Sequence, residues 1–206
     1  MPTQKKRGNN EGTIRKRSDG RWEAVFTTGH NADGKPSQET ANEILNAAMA
    51  GGINTLDTAG AYGDSESVIG NWLKTVDPAK RPFIVTKAAH LEHGSLDALR
   101  KDMFQKVKTS KERLGVEQLD MLMLHHFDDY LCDKENVRTV MQELKASGEV
   151  RFIGASAYSH HDYAEIAATG FDATQIPINL FDWKQIENGG LKKLADSGMM
   201  VFVRSV

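Results

Sequence analysis

The sequence predicts an α/β chain built on a parallel sheet, and three observations carry that prediction. Helical and strand patterns alternate from residue 37 to the end. The strand segments are short apolar runs without period-2 alternation, which suits parallel strands buried on both faces. Polar residues gather at the C-terminal ends of these runs, at Asp57, Lys87, His125, Ser156, Gln175 and Ser205. Contributions from many strand ends to one mouth mark a (β/α)8 barrel. An open doubly wound sheet often carries a GxGxxG turn after its first strand, and none is present.

The elements follow in order. "GTIRKRSDGRWEAVFTTGHNADGKPSQ" reads as an antiparallel β-hairpin, with Thr13–Arg17 and Arg21–Thr28 flanking the turn formers Asp19-Gly20. Asp33-Gly34 and Pro36 end the segment. "SQETANEILNAAMAGG" then places Ala41, Ile44, Leu45, Ala48 and Met49 at helical spacing, with Ser37 or Thr40 as N-cap and glycine at the stop. "INTLDTA" is a short strand. Helix Ser65–Lys74 precedes strand "FIVTK" (83–87), and helix Ser95–Arg113 precedes "QLDMLMLH" (118–125). Helix Lys134–Ser147 leads to "VRFIGAS" (150–156), helix His160–Ala168 to "DATQIPI" (172–178), and helix Gly190–Ser197 to "MMVFVRS" (199–205). Six strands result, each after a helix, which implies right-handed crossovers with helices outside the sheet.

Composition narrows the function classes. The chain of 206 residues is 39% hydrophobic and 26% charged, an ordinary globular balance. No apolar run reaches the roughly 18–20 residues of a membrane span, and no secretory signal is visible. The single cysteine, Cys132, excludes an internal disulfide, lacks an activating pattern, and makes a cytoplasmic location the expectation. Residues 1–38 hold eight Lys/Arg against four acids, a net of +4, so the rest of a chain of net charge −2 carries −6. A basic head on an acidic body divides the sequence into residues 1–37 and 38–206.

Asp57, Tyr62, Lys87 and His125 form the set that carries chemistry. A phenol with an ordinary pKa near 10 gives up a proton more readily beside an ammonium, and a carboxylate holds that ammonium in place. Tyr62 can then act as general acid toward a carbonyl oxygen, with His125 orienting the same oxygen. No Ser or Cys nucleophile sits with a base, and no His/Cys metal cluster is evident, so a separate cofactor must supply hydride. Each residue also has a plain reading: Asp57 as a turn former, Tyr62 as a half-buried aromatic, Lys87 as a solvated strand end, His125 as a packed ring. His126 is expected to face away from His125 on a continuing strand. His160 and His161 are expected to open a helix in solvent.

From about Gln38 onward the chain resembles the aldo-keto reductases, through "GGINTLDTAGAYGDSE", "FIVTK", "RLGVEQLDMLMLHH", "GEVRFIGAS" and "VRSV" in family order. The resemblance implies a (β/α)8 barrel that reduces aldehydes or ketones with a nicotinamide cofactor, NADPH in preference to NADH. It places Tyr62 at the proton donor, Lys87 and Asp57 at its tuning pair, and His125 at the substrate-orienting histidine. Ser156 and Gln175 match positions that hold the nicotinamide carboxamide. Arg204 and Ser205 lie where the last segment meets the nicotinamide and the cofactor phosphates. Ala157 stands where the family usually has asparagine, which implies a weaker hold on the carboxamide. The pattern stops near its seventh strand and lacks a recognisable first one, so the expectation is an incomplete barrel of six or seven strands. Open sheet edges make self-association an expected property. Residues 8–37 resemble the arm-type DNA-binding domain of tyrosine integrases, which implies DNA contacts from Arg15, Lys16, Arg17 and Arg21. Two other readings stay open: a non-catalytic barrel remnant, and a DNA-binding module with the barrel as passenger. The hairpin also has a plain reading as a barrel cap or a substitute first strand.

Overall fold

In the computed structural model, the described residues are 13–16, 22–25, 36–179 and 184–204. They fall into two compact units, residues 1–52 and 53–206. In the first unit, β1 (Thr13–Lys16) and β2 (Trp22–Val25) pair antiparallel, Thr13 opposite Val25. The expected Asp19-Gly20 turn, Arg17 and Arg21 lie outside the described residues, as do the side chains of Arg15 and Lys16. Helix α1 (Gln38–Ala50) follows. Of the two candidate caps, Ser37 takes the role, its Oγ accepting the Thr40 N–H at 3.2 Å.

The second unit holds six parallel strands: β3 (Thr55–Asp57), β4 (Phe83–Ala88), β5 (Leu119–Leu124), β6 (Val150–Ser156), β7 (Ala173–Pro177) and β8 (Met200–Arg204). Each strand lies next to its sequence neighbour, in the order β3-β4-β5-β6-β7-β8. Unreversed order is that of a barrel wall, whereas a doubly wound sheet reverses at a switch point. The predicted helices appear as α2 (Ser65–Leu73), α3 (Leu96–Leu114), α5 (Lys134–Ala146), α6 (Tyr163–Ala167) and α8 (Gly190–Asp196). Two helices were not expected, α4 (Phe127–Cys132) and α7 (Lys184–Glu187). Among the described residues, no helix is long and apolar enough to cross a membrane.

Side-chain alternation along the strands explains the site. Side chains two apart share a face, and in-register neighbours in a parallel sheet do too. The pairings Asp57–Val85, Val85–Met121, Met121–Phe152, Gly154–Ala173 and Gln175–Phe202 therefore define one continuous face. Toward the strand starts that face is an apolar cluster of Val85, Met121, Met123 and Ala173, with Phe83, Phe152 and Phe202 against it. Toward the strand ends the same face presents Asp57, Lys87, Ser156, Gln175 and Arg204. Gly154 is required on this face, because a Cβ there would lie 2.6 Å from the Ala173 carbonyl oxygen. The opposite face packs against helices through buried residues such as Leu99, Met103 and Val107 of α3 and Val140, Met141 and Leu144 of α5.

Candidate active site

The loop after β3 is built onto β4 by backbone bonds. The Thr58 N–H donates to Val85 O at 2.8 Å and the Gly60 N–H to Lys87 O at 3.1 Å. A turn closes with the Tyr62 N–H on Ala59 O at 3.0 Å, and Gly63 takes a left-handed φ of 58°, which glycine permits. The Thr58 hydroxyl donates to Ser65 Oγ at 2.8 Å, tying the loop to the start of α2. Tyr62 is thereby carried over the strand ends, half exposed.

Asp57, Tyr62, Lys87 and His125 converge. Lys87 Nζ lies 2.5 Å from Asp57 Oδ1 and 3.0 Å from the Thr58 carbonyl oxygen. It is also 5.5 Å from the centre of the Tyr62 ring. The Tyr62 and His125 rings meet edge to face with centroids 5.4 Å apart. The His125 N–H donates to Ala88 O at 2.7 Å, and its Nδ1 is buried without a partner.

The electrostatics correct one expectation. Tyr62 is pushed above its ordinary pKa, first by burial and then by the Asp57 carboxylate, while Arg204 pulls it down. The net direction is upward, opposite to the depression expected beside Lys87. The site therefore holds a neutral phenol, the form a proton donor requires. Lys87 is lowered, mainly by burial, against the opposing pull of Asp57. His125 is lowered by burial first, then by His126, Lys87 and His90, so its ring is neutral at pH 7. His90 holds a left-handed φ of 55°, a strained conformation for a non-glycine residue.

Ser156 and Gln175 sit side by side in register on adjacent strands, both buried. Neither side chain has a hydrogen-bond partner among the described residues. A buried hydroxyl and a buried amide left open in this way fit a polar ligand group such as a carboxamide. Arg204 lies over the Tyr158 ring at 4.6 Å, donates to the Ala157 carbonyl oxygen at 3.1 Å, and keeps a buried Nε without a partner. Ser205 lies outside the described residues.

Two histidines depart from expectation. The strand ends at Leu124, so His126 does not face away; it stacks on His125 with centroids 4.8 Å apart. His161 is 5% exposed and not solvated, because the turn before α6 folds it inward and its ring meets Phe127 edge to face. Tyr158, His126 and Arg204 form an aromatic and cationic rim that sequence reasoning did not assemble. Adjacent aromatic and histidine residues in "HHF" and "AYSHH" at two strand ends were the available signal.

A model of the aldo/keto reductase family matches residues 25–206. The chain belongs to the aldo/keto reductase family. It is 30% identical over 161 residues to the aldo-keto reductase YhdN of Bacillus subtilis, covering 75% of this chain and 48% of that protein. It is 27% identical over 189 residues to 6-dehydroglucose reductase of Agrobacterium fabrum, covering 84% of this chain and 62% of that one. Among solved structures, an aldo/keto reductase from Klebsiella pneumoniae in complex with NADP and acetate shares the fold. It has a TM-score of 0.66 at 24% identity, over 85% of this chain and 60% of that one. The holo form of an aldo-keto reductase from Bacillus halodurans does likewise, with a TM-score of 0.66 at 22% identity over 94% and 65%. This aldo/keto reductase chain spans about half the length of the curated relative YhdN.

Proposed function

We propose that the chain carries the carbonyl-reducing site of an NADPH-dependent oxidoreductase acting on a small aldehyde or ketone. The observation that carries this reading is the convergence of Tyr62, the Asp57–Lys87 pair and neutral His125 at one set of strand ends. Tyr62 donates its phenolic proton to the substrate oxygen as negative charge develops there. His125, a neutral ring beside Tyr62, orients that oxygen. Lys87 stabilises the phenolate left behind, and Asp57 fixes the ammonium. Ser156 and Gln175 hold the nicotinamide carboxamide, and Arg204 borders the same space. The cofactor, when bound, supplies the hydride. The complex of the Klebsiella relative with NADP supports the choice of cofactor.

Titration of NADPH, followed by nicotinamide fluorescence, tests the reading. Saturable binding that weakens in Ser156→Ala and Gln175→Ala is expected, and no binding at millimolar NADPH overturns it for this chain. A second reading, DNA contact through Arg15, Lys16, Arg17 and Arg21, rests on the basic charge of residues 1–38. Duplex binding that weakens steeply with salt and is lost when these four are neutralised would support it.

A further inference from the structure

We propose that Asp128, His160 and His161 form a binding site for a divalent transition-metal ion of the zinc type at the rim of the mouth. One carboxylate oxygen of Asp128 in α4 and one ring nitrogen from each histidine in the loop between β6 and α6 lie within 4.8 Å of one another. Two imidazoles and a carboxylate are a donor set that zinc takes, leaving a fourth position to water. Calcium and magnesium prefer oxygen ligands throughout, so the nitrogen donors select against them.

The surroundings hold this loop in place. The Gln185 side chain, from α7, donates to the Ser159 carbonyl at 2.7 Å and the His161 carbonyl at 3.1 Å. The His161 ring is buried against Phe127, with centroids 5.3 Å apart. His160 is exposed, 4.1 Å from the His161 ring, and its ring nitrogens have no hydrogen-bond partner among the described residues. Asp128 is exposed.

The hydrogen bonds show what an ion must displace. The Tyr158 backbone N–H donates to His161 Nδ1 at 2.9 Å, and a backbone N–H can only donate. Nδ1 therefore carries the lone pair, and Nε2 carries the proton, which points at Asp128 Oδ1 3.3 Å away. An ion between His161 and Asp128 takes the place of that proton, which leaves to solvent, while Nδ1 gains a proton from solvent. Nδ1–H then faces the Tyr158 N–H, donor against donor, and that bond breaks. Tyr158 stacks on His126 at 6.5 Å and lies 4.6 Å under the Arg204 guanidinium. Occupancy of the rim site thus reaches the ring series that ends at His125 and Tyr62.

Calorimetric titration of the full chain with zinc chloride in chelator-free buffer tests the site. The expected result is one ion per chain with micromolar affinity, weakened at least about tenfold in His160→Ala and in Asp128→Asn and unchanged in Cys132→Ser. Amide hydrogen exchange at Tyr158 should speed up when zinc is added to the wild type, and should not in His160→Ala. No uptake at millimolar zinc overturns the proposal. Equal affinity in both ligand variants also overturns it, because the ion then binds elsewhere. Unchanged exchange at Tyr158 with the ion bound overturns the link to the mouth.

Discussion

Replacing Lys87 with methionine removes the ammonium while keeping most of the stem's length and apolar packing. Removing one partner of a fully buried ion pair costs roughly 3–5 kcal/mol, because the other charge is left stranded. Here the pair is lopsided: the Lys87 side chain is 2% exposed and that of Asp57 is 43% exposed. Asp57 hydrates once its partner is gone. Burial already works against the charged form of Lys87, and methionine relieves that opposition. What remains is chiefly the charged bond to the Thr58 carbonyl, worth about 1.5–3 kcal/mol and offset in part by that relief. The expected destabilisation is therefore about 1 kcal/mol, or a fall in Tm of about 2–4 °C for a chain of this size. Urea denaturation followed by circular dichroism measures it, compared at unchanged slope. Carbonyl reduction, by contrast, should fall by about 10²–10⁴-fold, the contribution typical of assisted proton transfer. A loss of stability near the value for a fully buried pair would refute the reasoning, since Lys87 would then be holding the fold.

The other perturbations have equally definite outcomes. Gly70→Ala should lower the urea midpoint, because the new Cβ would lie 2.1 Å from the Arg113 carbonyl oxygen and force α2 off α3. Such overpacking costs roughly 1–3 kcal/mol, more than the helix-propensity gain of about 1 kcal/mol returns. Arg113→Leu leaves the fully buried Glu66 carboxylate with only the Thr86 hydroxyl at 2.6 Å. A loss of about 3 kcal/mol is expected, at the low end for a broken buried pair because Arg113 is 40% exposed. The depressed pKa of His125 means the unfolded chain binds more protons just below the ordinary value of 6.5. Stability should therefore fall as pH drops through that region, and the fall should be shallower in His125→Asn, read by urea midpoints across acid pH. The raised pKa of Tyr62 keeps the acid protonated at neutral and mildly alkaline pH, so a rate that declines between pH 7 and 9 with no other group responsible would contradict its role.

The barrel wall was readable because its strands are apolar runs such as "MLML" and "FIVT", bounded by capped helices whose periodicity is unambiguous. The acid–base set was readable for a related reason: polar residues ending apolar strands stand out. Contacts between distant residues were not readable. Glu66 looks like an acid at an exposed helix start, yet it is fully buried because Thr86 and Arg113, 20 and 47 residues away, meet it there. Helix α4 was not readable, since its six residues, "FDDYLC", give one turn and a half of pattern. His161 reads as polar in "SHHD", and only the position of Phe127 and the Tyr158 N–H makes it a core ring.

The claim that Tyr62 donates the proton is tested most directly by Tyr62→Phe, which keeps the ring against His125 and removes only the hydroxyl. Under single-turnover conditions with saturating NADPH and an aldehyde, decay of nicotinamide fluorescence should slow by about 10²–10⁴-fold while NADPH affinity stays the same. An unchanged rate in the phenylalanine variant of an active chain would contradict the account.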